Sequence, residues 1–281
     1  MSVPRPAPRP LAEQLSLAGR RAVVTGAAGL LGREFAGALA EQGAAVALVD
    51  LDGDGAAAVA AGLAPPAEGA HEVLVGDLAD EGWVVDAIAG LAATGSVDVL
   101  VNSAALDPKM GVEGEAHPGF LDHPTEAWQR SLEINLTGLF RITREVCRVM
   151  EGQGPRGRGA IVNLASTYGL VGPDQRLYHR PGRPPGAKPL DYPTTKAGVV
   201  GFSRALAAWY RDTEIRVNAL APGGAFAGHD EGFADAYAAR TIVGRMAEPH
   251  EYRGPIAFLC SDASSYMTGA TLVVDGGWTA L

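Results

Sequence analysis

Two residues in the second half of the chain have the types and spacing of an acid/base pair. Tyr192 and Lys196 occur in the segment DYPTTKAGVVGFSRALA, which has the pattern of an amphipathic helix. Because residues four apart lie on one helix face, the two side chains would be neighbours. A nearby ammonium group favours the phenolate and so lowers the pKa of a tyrosine from its usual value of about 10. The pair therefore predicts a tyrosine that exchanges protons near neutral pH, although the spacing alone fits an ordinary surface pair better.

Ser166 is a third candidate for the same chemistry. It ends the apolar run AIVNLAS, which is typical of a buried strand. A hydroxyl group at that position could hydrogen-bond a substrate oxygen while the charge on that oxygen changes.

The segment TGAAGLLG lies between an apolar run and a helix-like segment, with glycines at Gly26, Gly29 and Gly32. A strand, a glycine turn and a helix N-terminus together form an anion site, which would hold a pyrophosphate. A second apolar run ends at Asp50, where a carboxylate would accept hydrogen bonds from an adenosine ribose. The same carboxylate would repel a 2′-phosphate, and no Lys or Arg occurs between Asp50 and Gly62. The sequence therefore favours NAD over NADP.

The elements that must position these residues alternate along the chain. Most apolar runs are continuous rather than alternating, as in strands buried on both faces of a parallel sheet. We predict strands at 22–25, 45–50, 72–75, 97–102, 160–166, 215–219 and 271–275, and helices at 31–42, 81–93, 125–150, 192–210 and 250–260. This alternation predicts a Rossmann-like, doubly wound α/β fold, with a seven-stranded parallel sheet and helices on both faces.

Several segments break the alternation. Residues 106–124 and 172–189 follow predicted strands at the ends where ligands bind in such folds, and 225–240 follows as a predicted mobile substrate lid. The proline-containing N-terminus, 1–15, predicts a flexible arm. We predict one domain over 16–281.

Composition excludes several classes of partner. The net charge of −9 argues against nucleic acid or an anionic membrane surface, and no apolar run is long enough to span a bilayer. Cys147 and Cys260 fall in helix-like segments and predict buried thiols in a reducing, cytoplasmic compartment. His117, His123 and His229 lack paired ligand spacing, so we predict no metal site.

Together these motifs resemble the short-chain dehydrogenase/reductase family over about residues 17–279. The matching segments occur in the family's order and are TGAAGLLG, LVD, GDL, VNSAA, EINLTG, NLAS, YPTTK, RVNALAPGG and MTGATLVVDGG. The resemblance implies that Tyr192 is the general acid/base, that Ser166 orients the substrate oxygen, and that Lys196 lowers the tyrosine pKa and binds the nicotinamide ribose. It also implies that Asn135 supports a proton-relay water.

The resemblance further implies a set of cofactor contacts. These are the glycine loop with Leu31, the adenine contacts of Asp77 and Leu78, the adenosine contacts of Asn102 and Ala104, the nicotinamide contacts of Pro222 and Gly223, and a cofactor contact of Tyr192 beside that of Lys196. A homo-oligomer, either a tetramer or a dimer, is also implied.

The chain departs from the family pattern at two places. Leu30 replaces the expected middle glycine of the loop, and Gly29 would have to take over its permissive backbone role. Tyr178 lies nearer than Tyr192 to the usual distance from Ser166, but Gly182 rather than a lysine follows it four residues later. We therefore assign the catalytic role to Tyr192.

The insertion at 172–189 is locally basic, which suggests substrate contacts by Arg176, Arg180 and Tyr178 and an anionic substrate. A solvated loop or a subunit contact explains the same charges. The sequence thus predicts an NAD-dependent oxidoreductase of a secondary alcohol or ketone, with a polyol, a sugar or another polar metabolite favoured. A 3-oxoacyl-type ketoreductase, a sugar-nucleotide epimerase-like enzyme and a non-catalytic NAD-binding regulatory protein remain alternatives.

Overall fold

Seven parallel strands form the centre of the protein. The computed structural model describes residues 8–107, 119–179 and 186–281 and pairs the strands in the order β3-β2-β1-β4-β5-β6-β7. They are β1 (Arg21–Thr25), β2 (Ala45–Asp50), β3 (Glu72–Val75), β4 (Val99–Asn102), β5 (Arg158–Leu164), β6 (Glu214–Pro222) and β7 (Thr271–Val274). The predicted doubly wound, seven-stranded parallel sheet is confirmed.

Helices cover both faces of this sheet. The α-helices within the described residues are α1 (Leu11–Leu15), α2 (Leu30–Glu41), α3 (Gly53–Ala61), α4 (Glu81–Thr94), α5 (Thr125–Leu132), α6 (Leu139–Glu151), α7 (Asp191–Trp209), α8 (Glu231–Ala238) and α9 (Arg253–Cys260). Successive strand residues face opposite layers. Val24 packs in the same cluster as Phe35 of α2 and Ile256 of α9, whereas Val23 packs in the opposite cluster with Val146 of α6.

Two segments differ from the sequence predictions. We expected one helix at 125–150, but a π-helix (Glu133–Gly138) separates α5 from α6. We did not predict α3, since its small residues GDGAAAVAA give little apolar periodicity.

Part of the N-terminal segment, which we predict to be a flexible arm, contacts the rest of the chain. Residues 11–15 form α1, and the Arg9 guanidinium pairs with the Asp262 carboxylate at 2.7 Å. Asp262 also receives a hydrogen bond from Arg20 at 2.7 Å. These contacts connect the residues before β1 to the segment after α9, while residues 1–7 lie outside the described chain.

The strand order changes direction between β1 and β4, which neighbour each other at the middle of the sheet. In doubly wound sheets the crevice at this switch point, beyond the carboxyl ends of the strands, is where ligands bind. The glycine loop after β1, the loop after β4 and the segment after β5 all leave the sheet at this edge.

Candidate active site

The predicted catalytic residues come together beyond the carboxyl end of β5. Tyr192 lies in the first turn of α7, and the Lys196 ammonium nitrogen lies 5.7 Å from the centre of its ring. That nitrogen donates a hydrogen bond to the carbonyl oxygen of Leu164, the last residue of β5, at 2.7 Å. Ser166 follows two residues later, and its side chain interacts with the Tyr192 phenol. The end of β5 and the start of α7 therefore bring two separate sequence segments to one point.

Burial affects the ionisation of both residues of the pair. Burial raises the pKa of Tyr192, the Asp107 carboxylate raises it further, and the interaction with Ser166 opposes them. Burial also lowers the pKa of Lys196 to about 8, which leaves this lysine mainly charged at neutral pH. Desolvation of the phenolate is therefore the largest effect on the pKa of Tyr192, and the predicted lowering of this pKa by Lys196 stays a prediction.

Asn135 lies in the π-helix, a feature that often marks functional sites. Its amide nitrogen donates to the Leu106 carbonyl at 3.0 Å and to the Thr195 hydroxyl at 3.1 Å. Its amide oxygen accepts from the Leu106 backbone N–H at 2.7 Å. The buried side chain thus fixes the segment after β4 to the residue beside Lys196. The predicted role at a relay water stays a prediction.

The glycine loop has the geometry of a close backbone approach. Gly26 has a φ of +65°, and a Cβ atom there would lie 2.7 Å from the Cα of Ala104. A Cβ atom on Gly32 would lie 1.9 Å from the Gly26 carbonyl oxygen. Both positions therefore require glycine, and the loop ends at the N-terminus of the 12-residue helix α2. The first N–H groups of a helix have no intrahelical partner and can therefore bind an anion at the helix N-terminus.

Leu30 and Gly29 resolve the departure from the family pattern. Leu30 is the first residue of α2, where a side chain is compatible with the backbone and points outward. Gly29 has a φ of −68°, so it does not take over a left-handed conformation, contrary to our expectation. Leu31, which follows Leu30, packs its side chain against the core.

Asp50 ends β2 beside the glycine loop. One carboxylate oxygen accepts a hydrogen bond from the Ala28 N–H at 2.8 Å and the other from the Asp52 N–H at 3.0 Å. Asp50 is partly exposed, and each carboxylate oxygen has a further lone pair that can accept a hydrogen bond. Farther along the same edge, Asp77 is exposed and Leu78 is buried.

The side chain of Asn102 does not face the crevice. Its amide nitrogen donates to the Thr143 hydroxyl and to the Asn163 amide oxygen, each at 2.8 Å. Any contact of Asn102 with a cofactor is therefore through its main chain. Ala104 packs against Gly26, and the Thr25 hydroxyl accepts its N–H at 3.1 Å.

Pro222 and Gly223 are held from two sides at the end of β6. The Thr167 hydroxyl donates to the Pro222 carbonyl at 2.9 Å, and the Tyr252 hydroxyl donates to the Gly223 carbonyl at 3.0 Å. Thr167 follows Ser166 directly, so this segment and the catalytic serine are positioned together.

Two of the insertion residues that we predict to contact substrate lie in the described part of the chain and have different surroundings. Arg176 is 82% exposed and pairs with Asp174, two residues before it. Tyr178 is partly buried, and its hydroxyl lies 3.2 Å from that of Tyr168. Arg180 lies outside the described residues.

An aromatic cluster connects this insertion to α8 and to the C-terminal segment. The Tyr178 ring lies 6.1 Å from that of Phe233 in α8, and Tyr237 stacks on Trp278 at 4.6 Å. Arg240, just after α8, donates to the Asp174 carboxylate at 2.6 Å. The predicted lid segment, 225–240, thus contains a helix that packs against the insertion.

Sequence reasoning missed two charged residues in the site. Lys188 is buried with its ammonium nitrogen 4.1 Å from the centre of the Tyr192 ring, and it pairs with Asp107. The partners are 81 residues apart in sequence, so no local pattern could have indicated the pair. Asp191 was missed as well, although it directly precedes Tyr192; its buried carboxylate accepts hydrogen bonds from the Ser131 hydroxyl and the Tyr192 N–H.

Within 8–107, 119–179 and 186–281, no group of histidine, cysteine, aspartate or glutamate side chains could hold a metal ion. No helix in those ranges is long and apolar enough to span a membrane. Cys147 and Cys260 are buried free thiols, and burial raises their pKa values to about 11 and about 12.

The chain is similar to known proteins over most of its length. A family model described as enoyl-(acyl carrier protein) reductase matches residues 26–279. The chain is 40% identical to cis-4-hydroxycyclohexanecarboxylate dehydrogenase of Sinomonas cyclohexanicum, over 95% of this chain and 99% of the relative. It is 37% identical to D-threitol dehydrogenase of Mycolicibacterium smegmatis, over 94% of each chain.

Solved structures show the same relationship. A short-chain type dehydrogenase/reductase from Mycobacterium marinum superposes with a TM-score of 0.81 and 30% identity, over 97% of this chain and 100% of that one. A gluconate 5-dehydrogenase from Burkholderia cenocepacia, in complex with NADP and tartrate, superposes with a TM-score of 0.80 and 29% identity, over 96% and 99% of the two chains. The chain belongs to the short-chain dehydrogenase/reductase family and is an oxidoreductase of that family.

Proposed function

We propose that the protein is an NAD-dependent dehydrogenase that interconverts a secondary alcohol and a ketone in a small polar metabolite. The observation that carries this proposal is the convergence of Ser166, Tyr192 and Lys196 beside the crevice at the sheet's switch point. The relatives named above are dehydrogenases of a hydroxycyclohexane acid and of a polyol, which supports an alcohol as substrate.

The crevice fits a nicotinamide dinucleotide. A Cβ atom at Gly26 would overlap the backbone of Ala104, and one at Gly32 would overlap the Gly26 carbonyl, so the glycines allow the tight turn that leads into the N-terminus of α2. Gly26, Gly29, Leu31 and Gly32 would hold the pyrophosphate there. Asp50 would bind the adenosine ribose. When bound, the dinucleotide supplies the hydride acceptor for alcohol oxidation or the donor for ketone reduction.

The remaining cofactor contacts follow the order of the strands. Asp77 and Leu78 would contact the adenine, and the main chain of Asn102 and Ala104 the adenosine. Pro222 and Gly223 would contact the nicotinamide, and Lys196 its ribose. The hydrogen bonds from Thr167 and Tyr252 keep the Pro222–Gly223 main chain in a fixed position, which is the preorganisation that such a contact requires.

The chain's own residues would manage the proton. In the oxidising direction, the phenolate form of Tyr192 accepts the hydroxyl proton of the substrate. Ser166 donates a hydrogen bond to the same substrate oxygen. The charged Lys196 stabilises the phenolate, and Asn135 holds the neighbouring residues, Leu106 and Thr195, in place. In the reducing direction, Tyr192 returns the proton to the oxygen.

We infer a preference for NAD from Asp50. The carboxylate is anchored by two backbone N–H groups and would repel a 2′-phosphate. One related structure holds NADP, so the preference needs its own test. In Asp50→Asn the ratio of kcat/KM with NAD to kcat/KM with NADP should fall by at least about tenfold, since the charge is removed while the shape is kept. An unchanged ratio, measured by NAD(P)H absorbance, would show that Asp50 does not set it.

A substrate screen tests the proposed function. Purified protein is incubated with polyols, aldonic acids and hydroxycyclohexane acids in the presence of NAD or NADP, and formation of the reduced nicotinamide is followed. We expect reduction with at least one secondary alcohol. Isomerised sugar product without net cofactor reduction would favour the epimerase-like alternative, and binding of NAD without turnover of any alcohol or ketone would favour the regulatory one.

We also propose a homo-oligomer in a reducing, cytoplasmic compartment. The two free, buried thiols fit such a compartment. Light scattering should give two or four times the chain mass of 29.0 kDa, and a monomer mass would contradict the proposed assembly.

A further inference from the structure

A second lysine lies inside the candidate active site. The Lys188 side chain is only 7% exposed, and its ammonium nitrogen lies 4.1 Å from the centre of the Tyr192 ring. A buried ammonium is costly unless it is paired, and Asp107 pairs with it. The lysine is thus held next to the residue that would handle the substrate proton.

The backbone of Lys188 is fixed as well. Its N–H donates to the Gln175 side-chain oxygen at 2.8 Å, and its carbonyl accepts from the Gln175 side-chain nitrogen at 3.1 Å. This two-way contact connects the residues before α7 to the short helix that contains Gln175. The position of Lys188 is therefore built by the fold and does not result from a chance surface contact.

Lys188 lines a cavity of about 460 Å³, which has the size of a small-molecule site. Most of the other lining groups are apolar or aromatic, among them Phe120, Trp128, Pro189 and Leu190. An ammonium at the edge of such a cavity matches a ligand with an apolar body and one anionic group.

The local charge favours an anion. Lys196 and Lys188 both lie beside Tyr192, and Asp107 is the carboxylate that acts on Tyr192 and Lys196. The ammonium of Lys188 has three donors, and a substrate can use one that Asp107 does not occupy. Asp107 is 52% exposed, so it can also turn toward solvent when a second carboxylate arrives.

We propose that Lys188 binds the carboxylate of a hydroxy-acid substrate and so places the carbinol carbon beside Tyr192, an inference that rests on the proposed dehydrogenase function. Asp107 acts as the internal counter-ion that the substrate carboxylate displaces or joins. Arg176, which we had favoured from the sequence, is a surface residue paired with its neighbour and does not take part.

A matched pair of substrates tests this assignment. The probes are cis-4-hydroxycyclohexanecarboxylate and its neutral carboxamide, each with NAD, on wild type, Lys188→Met and Asp107→Asn. The control is Arg176→Met, which removes the same charge from an exposed position of the same insertion.

We expect Lys188→Met to raise KM for the acid at least about tenfold more than KM for the amide, since a charge-assisted contact is lost only for the acid. Asp107→Asn should act in the opposite direction and lower KM for the acid, because the competing carboxylate is gone. Arg176→Met should leave the ratio of the two KM values at the wild-type value. Equal losses for acid and amide in Lys188→Met, or a fall in kcat with unchanged KM values, would overturn the proposal.

A binding measurement separates this proposal from the proposed function. Cyclohexanecarboxylate and cyclohexanecarboxamide, which have no hydroxyl group to oxidise, are titrated calorimetrically into the protein with bound NAD. Wild type should bind the acid more tightly than the amide, and Lys188→Met should abolish the difference. If no alcohol is oxidised but this difference is found, the dehydrogenase function fails and the carboxylate site stands. If alcohols are oxidised but Lys188→Met keeps the wild-type difference, the carboxylate site fails alone.

Discussion

The surroundings of Tyr192 have opposing effects on the pKa of its phenol. Burial and the Asp107 carboxylate raise its pKa, while the interaction with Ser166 lowers it. Alcohol oxidation requires the phenolate to accept a proton, so a raised pKa means that oxidation should become faster as the pH rises above neutrality. Lys196 has the opposite effect on the rate of oxidation, because its pKa is about 8 and it therefore loses its positive charge as the pH rises above neutrality. The optimum for oxidation is therefore expected on the alkaline side.

A single substitution tests this electrostatic description. Asp107→Asn removes a negative charge near the phenol and so lowers the pKa of Tyr192. The rising limb of the pH profile of kcat/KM for a neutral alcohol should move to lower pH. A rising limb at the wild-type pH would mean that Asp107 has no electrostatic influence on the reacting proton. The control is Asp54→Asn, which removes the charge of an exposed acidic residue on α3.

The residue scale also shows what local sequence can and cannot predict. The spacing of Tyr192 and Lys196 determines a shared helix face, so their contact follows from the sequence alone. Lys188 meets Asp107 only because the segments after β4 and before α7 converge, which no spacing indicates. Arg176 shows the converse, since its charge is matched within the same short segment by Asp174, two residues before it.

At the scale of elements, the turn between β1 and α2 sets the path of the backbone. Gly26 adopts a positive φ, and the Gly32 Cα lies so close to the Gly26 carbonyl that no side chain fits. Gly29 has ordinary dihedral angles, and a Cβ atom there would lie 3.1 Å from that carbonyl oxygen. The three glycines of one motif therefore have different physical roles.

Alanine substitutions should separate these roles. Gly32→Ala is expected to lower the affinity for NADH by at least about tenfold, because the loop must move away from α2 to accommodate the methyl group. Gly29→Ala needs a shift of only a few tenths of an ångström and should change the affinity by less than about threefold. Fluorescence titration of NADH measures both. Equal effects of the two substitutions would contradict the assigned geometry.

Strands and long helices were predictable at this scale because buried parallel strands give continuous apolar runs, as in β2 and β3, whose predicted bounds agree with the structure. The π-helix was not predictable, because its residues EINLTG fit an α-helical pattern and the extra residue per turn is stabilised by distant contacts of Asn135. Helix α3 was missed because alanine and glycine give no apolar stripe.

At the scale of the whole molecule, the insertion, α8 and the C-terminal segment close the site together. Tyr178 contacts Phe233, Tyr237 stacks on Trp278, and Arg240 pairs with Asp174. These contacts join three segments that are far apart in sequence into one aromatic cluster, and Tyr237 of this cluster acts electrostatically on Tyr192. The sheet thus provides a fixed edge for the cofactor, whereas irregular segments form the substrate side. For this reason the family and the chemistry could be predicted from the sequence, but the substrate site could not.

The central claim is that Tyr192 exchanges the substrate proton at a site where Ser166 and Lys196 support it. Its most direct test is the rate of NADH formation from an oxidised alcohol in wild type and Tyr192→Phe, with NADH binding measured on both proteins. The phenylalanine variant should bind NADH within about threefold of wild type but lose a factor on the order of a thousand in kcat, as expected when a general acid/base is removed. A variant that retains the wild-type kcat would contradict the account.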